Sequence, residues 1–281
     1  MNNNLQKIAS KNKLEFKQAV PLQGGDINEV FLLKCKTHNY VIKLNDAHRF
    51  PKMFKAEALG LALLGKSNSF KIPNVIAFGA EENTSYLLLE YIPKGSQASK
   101  FWKIFAENLV ILHKTSNDNF GLDHNNYIGS LPQINKTESS ASKFYINQRL
   151  VPQFKMAREN GFQFSSLDLF FKNISEEIPE EVPSLIHGDL WNGNYLVSEK
   201  GEPVLIDPAV AFAPREMDLA MMQLFGGFPN EVYSTYNDIF PLENNWQNRI
   251  PIWQLYYLLV HLNLFGGGYL SQVKNIIKEY S

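Results

Sequence analysis

The spacing of apolar positions along the chain changes near residue 92. Before that point, four segments rich in β-branched and aromatic residues predict short β-strands over residues 29–36, 39–44, 73–79 and 85–91. Residues 51–66 instead repeat apolar side chains at helical spacing, with Pro51 in the first turn and Gly65 near the end. The N-terminal part therefore predicts a small sheet with one helix.

Beyond a break at Pro93-Lys94-Gly95-Ser96, helical spacing dominates. It predicts helices over residues 98–115, 143–160, 167–177, 216–224 and 246–264, interrupted by one short hairpin from residues 195–197 to 203–206. The fold class predicted is α+β, with a small antiparallel sheet lobe over residues 1–92 and a larger, mainly helical lobe over residues 93–281.

Charge and composition exclude several classes of partner. The 281 residues carry 27 basic and 28 acidic side chains, so bulk charge favours neither nucleic acid nor a membrane surface. The single cysteine, Cys35, excludes an internal disulfide and fits a reducing compartment. Residues 1–13 lack the apolar core of a signal peptide, and the best apolar run, residues 255–264, is too short to span a bilayer. We therefore expect a soluble, cytoplasmic protein, and no feature indicates its oligomeric state.

The strongest chemical signal is an apolar segment that leads into His187-Gly188-Asp189, followed five residues later by Asn194. A second carboxylate, Asp207, ends the apolar strand Val204-Leu205-Ile206, and the hairpin between the two segments would fold it back beside Asn194. Phosphoryl transfer needs positioning and charge neutralisation more than covalent chemistry. Asn194 and Asp207 supply hard oxygen ligands for Mg²⁺ bound with ATP, and Asp189 is suited to act as the base for an acceptor hydroxyl. His187 is expected to hold the loop by hydrogen bonds.

A second signal pairs a lysine with a glutamate in the first lobe. Alternation along the strand places Lys43 on the same side as Val41, and Glu57 interrupts an apolar stripe of the following helix. A buried ammonium and a carboxylate in an apolar stripe each need a partner, so an ion pair between them accounts for both. In kinases such a pair holds the lysine against the nucleotide phosphates. We therefore expect the lobe of residues 1–92 to bind ATP and the lobe of residues 93–281 to hold the catalytic groups and the acceptor.

Two weaker signals concern the nucleotide. Gly24 and Gly25, between two predicted strands, could let backbone N–H groups approach phosphate oxygens, although the same residues would also make an ordinary turn. Glu90, Tyr91 and Ile92 end an apolar strand at the lobe boundary, where backbone groups could hydrogen-bond to adenine.

The chain resembles the fructosamine kinase (ketosamine-3-kinase) family, within the aminoglycoside-phosphotransferase-like branch of the kinase superfamily. The resemblance spans nearly the whole chain. It is carried by His187-Gly-Asp-Leu-Trp-Asn-Gly-Asn194, Ile206-Asp-Pro-Ala209, Arg215-Glu-Met-Asp-Leu-Ala220, Phe225-Gly-Gly-Phe228, Asn126-Tyr-Ile-Gly129 and His261-Leu-Asn-Leu-Phe-Gly-Gly-Gly-Tyr269.

The resemblance implies ATP-dependent phosphorylation of a sugar hydroxyl on a ketoamine, such as a fructosamine or ribulosamine, either free or attached to a protein. Because the phosphorylated adduct then decomposes, it also implies protein deglycation. It assigns the base to Asp189, the metal ligands to Asn194 and Asp207, and phosphate binding to Lys43. It further implies that Trp191 stacks on the sugar and that Asp218 helps to hold the catalytic region.

Three other readings are compatible with parts of this pattern. A protein kinase would need an activation segment, but Arg215-Glu216 follows Asp207 almost at once. An aminoglycoside or choline kinase would use the same ATP chemistry on another acceptor. A nucleotide-binding pseudokinase is opposed by the intact set of Lys43, Asp189, Asn194 and Asp207.

Overall fold

The computed structural model describes residues 2–22 and 27–281. The chain divides into two compact units, one formed by Met1–Phe101 with Tyr195–Pro208 and the other by Trp102–Asn194 with Ala209–Ser281. The boundary predicted between residues 92 and 93 stays a prediction. Among the described residues, no helix combines the length and apolar character that crossing a membrane requires.

The chain passes from the first unit to the second, returns to the first at Tyr195–Pro208 and ends in the second. The helices are α1 (Asn2–Lys11), α2 (Met53–Lys66), α3 (Phe101–Lys114), α4 (Ala141–Phe144), α5 (Val151–Glu159), α6 (Leu167–Glu177), α7 (Glu216–Leu224), α8 (Asn230–Ile239), α9 (Trp246–Phe265) and α10 (Leu270–Glu279). The strands are β1 (Phe16–Pro21), β2 (Glu29–Cys35), β3 (Asn39–Asp46), β4 (Val75–Glu81), β5 (Thr84–Glu90), β6 (Asn126–Ile128), β7 (Leu131–Gln133), β8 (Ser184–Ile186), β9 (Tyr195–Val197), β10 (Pro203–Leu205) and β11 (Ala211–Ala213).

The first unit is built on a five-stranded antiparallel sheet in the order β1-β2-β3-β5-β4. Alternation along β3 sends Ile42 and Leu44 to the face that packs against α1. Val41 lies on the opposite face, where Leu87 of β5 packs against Phe54 of α2. The side chain of Lys43 shares that second face and forms its ion pair with α2. The β9–β10 hairpin belongs to the same unit.

The described residues of the first unit contain two helices, α1 and α2, whereas the sequence pattern predicted one. The additional helix is α1, a ten-residue segment whose buried side chains are Leu5, Ile8 and Ala9. So few apolar positions give a weak helical pattern, because the rest of the segment is polar. Its stability therefore depends on packing against the sheet rather than on helix propensity.

The second unit is mainly helical, and α9 runs through its core. Trp253, Tyr256 and Leu259 of this helix are buried within one large apolar cluster. Two short ladders, β8 with β11 and β6 with β7, supply its strands. The sequence pattern predicted neither α8 nor α10.

The segment predicted as one helix over residues 143–160 is interrupted. Residues 145–150 form a π-helical turn between α4 and α5. This wider turn buries Tyr145 and Arg149 together, and the Tyr145 hydroxyl donates a hydrogen bond to the carbonyl of Ile252 on α9. The local apolar spacing does not reveal this arrangement because the partner lies more than a hundred residues away.

A buried ion pair joins α7 to α9 in the second unit. The Arg249 guanidinium donates to Glu216 at 2.5 Å and 3.0 Å, and the Trp253 indole donates to the same carboxylate at 2.7 Å. Both charged side chains are nearly inaccessible to solvent. Such a pair is costly to break, because removing one partner leaves an uncompensated charge in the interior.

We expect Glu216→Ala to lower the free energy of unfolding by ~3–5 kcal/mol, because Arg249 would stay buried without its carboxylate. Urea denaturation followed by circular dichroism measures this loss. The matched control is Glu107→Ala, which breaks the exposed Lys103–Glu107 pair and should cost ~1 kcal/mol or less. Equal losses for the two variants would contradict the assigned importance of the buried pair.

Candidate active site

One carboxylate accepts hydrogen bonds from the backbone of the loop that carries His187, Gly188 and Asp189. Asp218, in the first turn of α7, accepts the backbone N–H of His187 at 2.7 Å and that of Gly188 at 2.8 Å. Gly188 has a φ of +82°, and a Cβ atom there would overlap the carbonyl oxygen of Ala209. The short His-Gly-Asp motif is therefore required by the backbone path as well as by chemistry.

Asp189 and Asn194 come together within this loop. The Asn194 side-chain amide donates to the backbone carbonyl of Asp189 at 2.8 Å and to its carboxylate at 3.0 Å. The backbone N–H of Asp189 donates to Nδ1 of His187 at 3.3 Å, so that nitrogen acts as an acceptor. Asn194 is buried and Asp189 is half-buried. These bonds fix the carboxylate and leave the Asn194 side-chain oxygen available for another partner.

Three charged groups meet in the first unit. The Lys43 ammonium lies 2.6 Å from Glu57 and 2.5 Å from Asp207, so the predicted pair with Glu57 is present and Asp207 shares the same cation. Lys43 is buried and the Glu57 side chain is 10% exposed, whereas the Asp207 side chain retains 37% of its accessible surface. Asp207 follows β10 with a φ of +56°, an uncommon backbone conformation for aspartate that turns its side chain toward Lys43.

The ionisation of this group follows from burial and from the opposed charges. Burial lowers the pKa of Lys43, but the carboxylates of Asp207 and Glu57 together outweigh it and raise that pKa above its usual range. Burial raises the pKa of Glu57, and the Asp207 charge adds to this while Lys43 opposes it. The raised pKa keeps Lys43 positively charged at neutral pH.

Behind the loop lies a pair of side chains that the sequence did not connect with the site. His113, at the end of α3, contacts Asp218 through Nε2 at 3.2 Å and the Tyr236 hydroxyl through Nδ1 at 2.8 Å. All three side chains are buried. Asp218 thus accepts three hydrogen bonds. The sequence gave no signal that His113 and Tyr236 belong to this region, because His113 lies more than a hundred positions from both Asp218 and Tyr236.

The residues predicted to contact adenine end strand β5. The Glu90 carboxylate accepts from the backbone N–H and the side-chain amide of Asn74, at 3.2 Å and 2.7 Å. Ile92 is buried, and Tyr91 is half-buried. Gly24 and Gly25, predicted to approach the phosphates, lie outside the described residues.

Aromatic side chains line the surface beside the catalytic loop. Trp191 lies edge-on to Phe225, with ring centroids 6.3 Å apart, and Phe225 lies 4.9 Å from His261. Phe265 and Tyr269 extend the row on the other side of His261. Trp191, Phe225 and Phe265 are each more than a third exposed, so this aromatic row reaches the solvent.

A groove of about 580 Å³ lies along α8, where none of the sequence-predicted site residues is part of the lining. Its lining is uncharged and comprises Gln223, Gly226, Phe228, Asn230, Tyr233, Ser234, Asn237, Trp246 and Gln247. Gly227, between the lining residues Gly226 and Phe228, lies against Asn192, since a Cβ atom at Gly227 would approach the Asn192 side chain to 2.6 Å.

Comparison with known proteins decides the family. The sequence description of the fructosamine kinase family matches residues 1–281. A relative from Lactiplantibacillus plantarum, named "Probable ketoamine kinase", is 37% identical over 272 residues, covering 95% of each chain. A relative of the same name from Synechocystis is 36% identical over 261 residues, covering 92% of this chain and 88% of its own.

The chain belongs to the fructosamine kinase family.

Solved structures agree with this family assignment. A structure that carries the name fructosamine-3-kinase, from Haemophilus somnus, superposes with a TM-score of 0.89 at 31% identity, covering 98% of this chain and 95% of its own. An aminoglycoside phosphotransferase covers the whole of both chains with a TM-score of 0.65 at 14% identity, which shows a common fold alone. The α+β, kinase-like fold predicted from the sequence is confirmed, as is the resemblance to fructosamine kinases.

The ion pairs of Lys43 with Glu57 and Asp207 lead to a prediction about stability. We expect Lys43→Met to lower the free energy of unfolding by ~3–5 kcal/mol, because Glu57 would remain buried without a counter-charge. The double variant Lys43→Met with Glu57→Leu should recover most of that loss, since the exposed Asp207 side chain can be hydrated. Urea denaturation without nucleotide measures both. A double variant as unstable as the single one would show that the buried charge is not the cause.

Proposed function

We propose that this fructosamine kinase family member transfers the γ-phosphoryl group of ATP to a sugar hydroxyl of a ketosamine, of the fructosamine or ribulosamine type, free or attached to a protein. The observation that carries the proposal is the Asp189–Asn194 pair on a loop fixed by Asp218. The Lys43–Glu57–Asp207 group supports it, because it provides the cation and the carboxylate that kinase chemistry requires. Protein deglycation would follow from the decomposition of the phosphorylated adduct.

Asp189 has the role of base in this proposal. The acceptor hydroxyl would hydrogen-bond to its carboxylate, and the hydroxyl oxygen would attack the γ-phosphorus. The proton passes to Asp189, and the bond between the γ-phosphorus and the bridging oxygen breaks to release ADP. The hydrogen bond from Asn194 holds the Asp189 carboxylate in one orientation, which is the main protein contribution to a reaction governed by positioning.

The donor atoms present fit Mg²⁺. Asp207 and Asn194 offer carboxylate and amide oxygens, the hard ligands that Mg²⁺ prefers. Mg²⁺ usually takes one or two carboxylate or amide ligands from a kinase together with phosphate oxygens and water, so the nucleotide would supply the remaining ligands. When bound, Mg²⁺ neutralises charge on the phosphates. Lys43 would contact the α- and β-phosphates, with Glu57 holding its ammonium in place.

The acceptor would bind against the exposed indole of Trp191. A sugar presents C–H groups that pack on an aromatic face, and a ketosamine also carries a secondary ammonium group. A cation within ~6 Å of a ring centroid is attracted by the ring face, and the row from Trp191 through Phe225 provides such faces. Both parts of a ketosamine therefore have complementary surface here.

We expect turnover on ribulosamine or fructosamine derivatives in the presence of Mg-ATP, and little on aminoglycosides, choline or the free sugars. Coupled detection of ADP release, with ³¹P and ¹H NMR to locate the phosphate on the product, measures this. Turnover on an aminoglycoside without turnover on any ketosamine would reverse the substrate assignment. Mg-ATP binding without transfer to any acceptor would indicate a pseudokinase instead.

The two aspartates should fail in different ways. We expect Asp189→Asn to reduce turnover by ~10²–10⁴-fold, because the base is lost, while Mg-ATP affinity stays nearly unchanged. Asp207→Ala should instead weaken Mg²⁺-dependent nucleotide binding. Single-turnover kinetics and isothermal titration with and without Mg²⁺ separate the effects. An active Asp189→Asn enzyme would remove the base assignment, and unchanged Mg-ATP binding in Asp207→Ala would remove the ligand assignment.

A further inference from the structure

Tyr257, on α9, has a buried hydroxyl without a hydrogen-bond partner among the described residues. The side chain is 1% exposed. Tyrosine hydroxyls normally find a partner when they are buried, because desolvating them without one is destabilising. Tyr257 therefore carries a cost that its packing does not explain.

The other buried tyrosines differ in this respect. Tyr145 donates to the carbonyl of Ile252, Tyr236 contacts His113 at 2.8 Å, and Tyr256 donates to the side-chain oxygen of Gln133 at 2.6 Å. Tyr86 accepts from Asn12 at 3.4 Å. The fold thus satisfies tyrosine hydroxyls at comparable depths, including that of the residue next to Tyr257.

The surroundings of Tyr257 are those of the catalytic loop. Burial has the largest influence in raising the pKa of Tyr257, and the charges of Asp218 and Asp189 raise it further, together with Tyr256 and Tyr145. Hydrogen bonds between the two helices agree with this position, since Trp253 of α9 donates to Glu216 of α7 at 2.7 Å and Gln254 donates to the carbonyl of Ala220 at 3.1 Å. Asp218 lies between those two α7 residues, and Tyr257 follows Trp253 by one turn of α9.

Counting acceptor sites shows where a hydrogen bond from Tyr257 can go. A carboxylate has places for about four donors, two on each oxygen. On Asp218, Oδ2 accepts the His187 backbone N–H and the His113 ring, whereas Oδ1 accepts the Gly188 backbone N–H. One place on Oδ1 remains, and a donor without an acceptor lies nearby.

We propose that Tyr257 is a positioning residue of the catalytic loop, whose hydroxyl donates through one buried water to Oδ1 of Asp218. A buried water with two or more polar partners is a common structural element, and both partners are present. The bond would fix Asp218, which holds the backbone at His187 and Gly188, and would thereby set the position of Asp189. The inference rests on the proposed phosphoryl transfer but not on the identity of the acceptor.

The test compares Tyr257→Phe with the unaltered enzyme on whichever acceptor the enzyme phosphorylates. The phenylalanine ring preserves the packing and removes only the hydroxyl. We expect kcat to fall about tenfold, since small displacements of a reacting group have large effects on rate. The KM for Mg-ATP should stay unchanged, and the melting temperature should be equal or higher.

Tyr256→Phe is the matched control, because it removes a neighbouring hydroxyl that has a partner. It leaves a side-chain oxygen of Gln133 without its donor, so we expect a lower melting temperature and a smaller effect on kcat than in Tyr257→Phe. Two results would overturn the proposal. An unchanged kcat in Tyr257→Phe would show that the hydroxyl does nothing for the loop, and a parallel fall in kcat and melting temperature would show a purely structural role.

A high-resolution crystal structure of the unaltered enzyme gives a second measurement. We expect an ordered water within hydrogen-bond distance of both the Tyr257 hydroxyl and Oδ1 of Asp218. A dry contact at this position would overturn the water-mediated connection. Absence of ketosamine turnover would instead refute the substrate assignment, and the comparison of Tyr257→Phe with Tyr256→Phe could still be made on any other acceptor.

Discussion

The Asp218 carboxylate holds the loop that carries His187, Gly188 and Asp189. Two consecutive backbone N–H groups, from His187 and Gly188, donate to its two oxygens, and the His113 ring contacts one of them. Hydrogen bonds to an ionised acceptor are stronger than those between neutral groups, and low local polarity strengthens them further. One carboxylate thus fixes the backbone of this glycine-containing turn, and this turn positions Asp189 and Asn194.

In the first unit, two carboxylates compensate the buried charge of Lys43. An ammonium buried beneath the sheet is unfavourable unless carboxylates accompany it, and here there are two of unequal exposure. Glu57 is enclosed by the apolar face of α2, so it serves to hold the lysine. Asp207 remains more accessible than Glu57. In the proposed function, Asp207 would exchange its contact with Lys43 for contact with a ligand, and Lys43 would contact the phosphates without having been unpaired beforehand.

The parts of this protein that sequence could predict are those determined by local pattern. Strands β2 to β5 and helices α2, α6, α7 and α9 follow apolar periodicity and clear end signals, and the Lys43–Glu57 pair follows from two residues whose types conflict with their expected burial. Helix α1 was missed because its apolar side is narrow, and the π-helical turn was missed because contact with α9 determines it. The chemistry of Asp189, Asn194 and Asp207 was proposed from residue type and spacing, and the structure adds the hydrogen bonds that orient them.

The residues that sequence could not connect with the site share one property, which is a partner distant in the chain. His113 contacts Asp218 and Tyr236, which each lie more than a hundred residues further along the chain, and Arg215 binds Glu181, 34 residues before it, at 2.5 Å. A buried polar side chain gives no periodic signal, because its position is set by a complementary group and not by the side of an element that it occupies. The second unit nevertheless provides a partner for almost every buried polar group of the described residues. Against that background, the unpartnered hydroxyl of Tyr257 beside the loop is more consistent with a functional requirement than with imperfect packing, since conflicts between local stability and the fold concentrate where function imposes them.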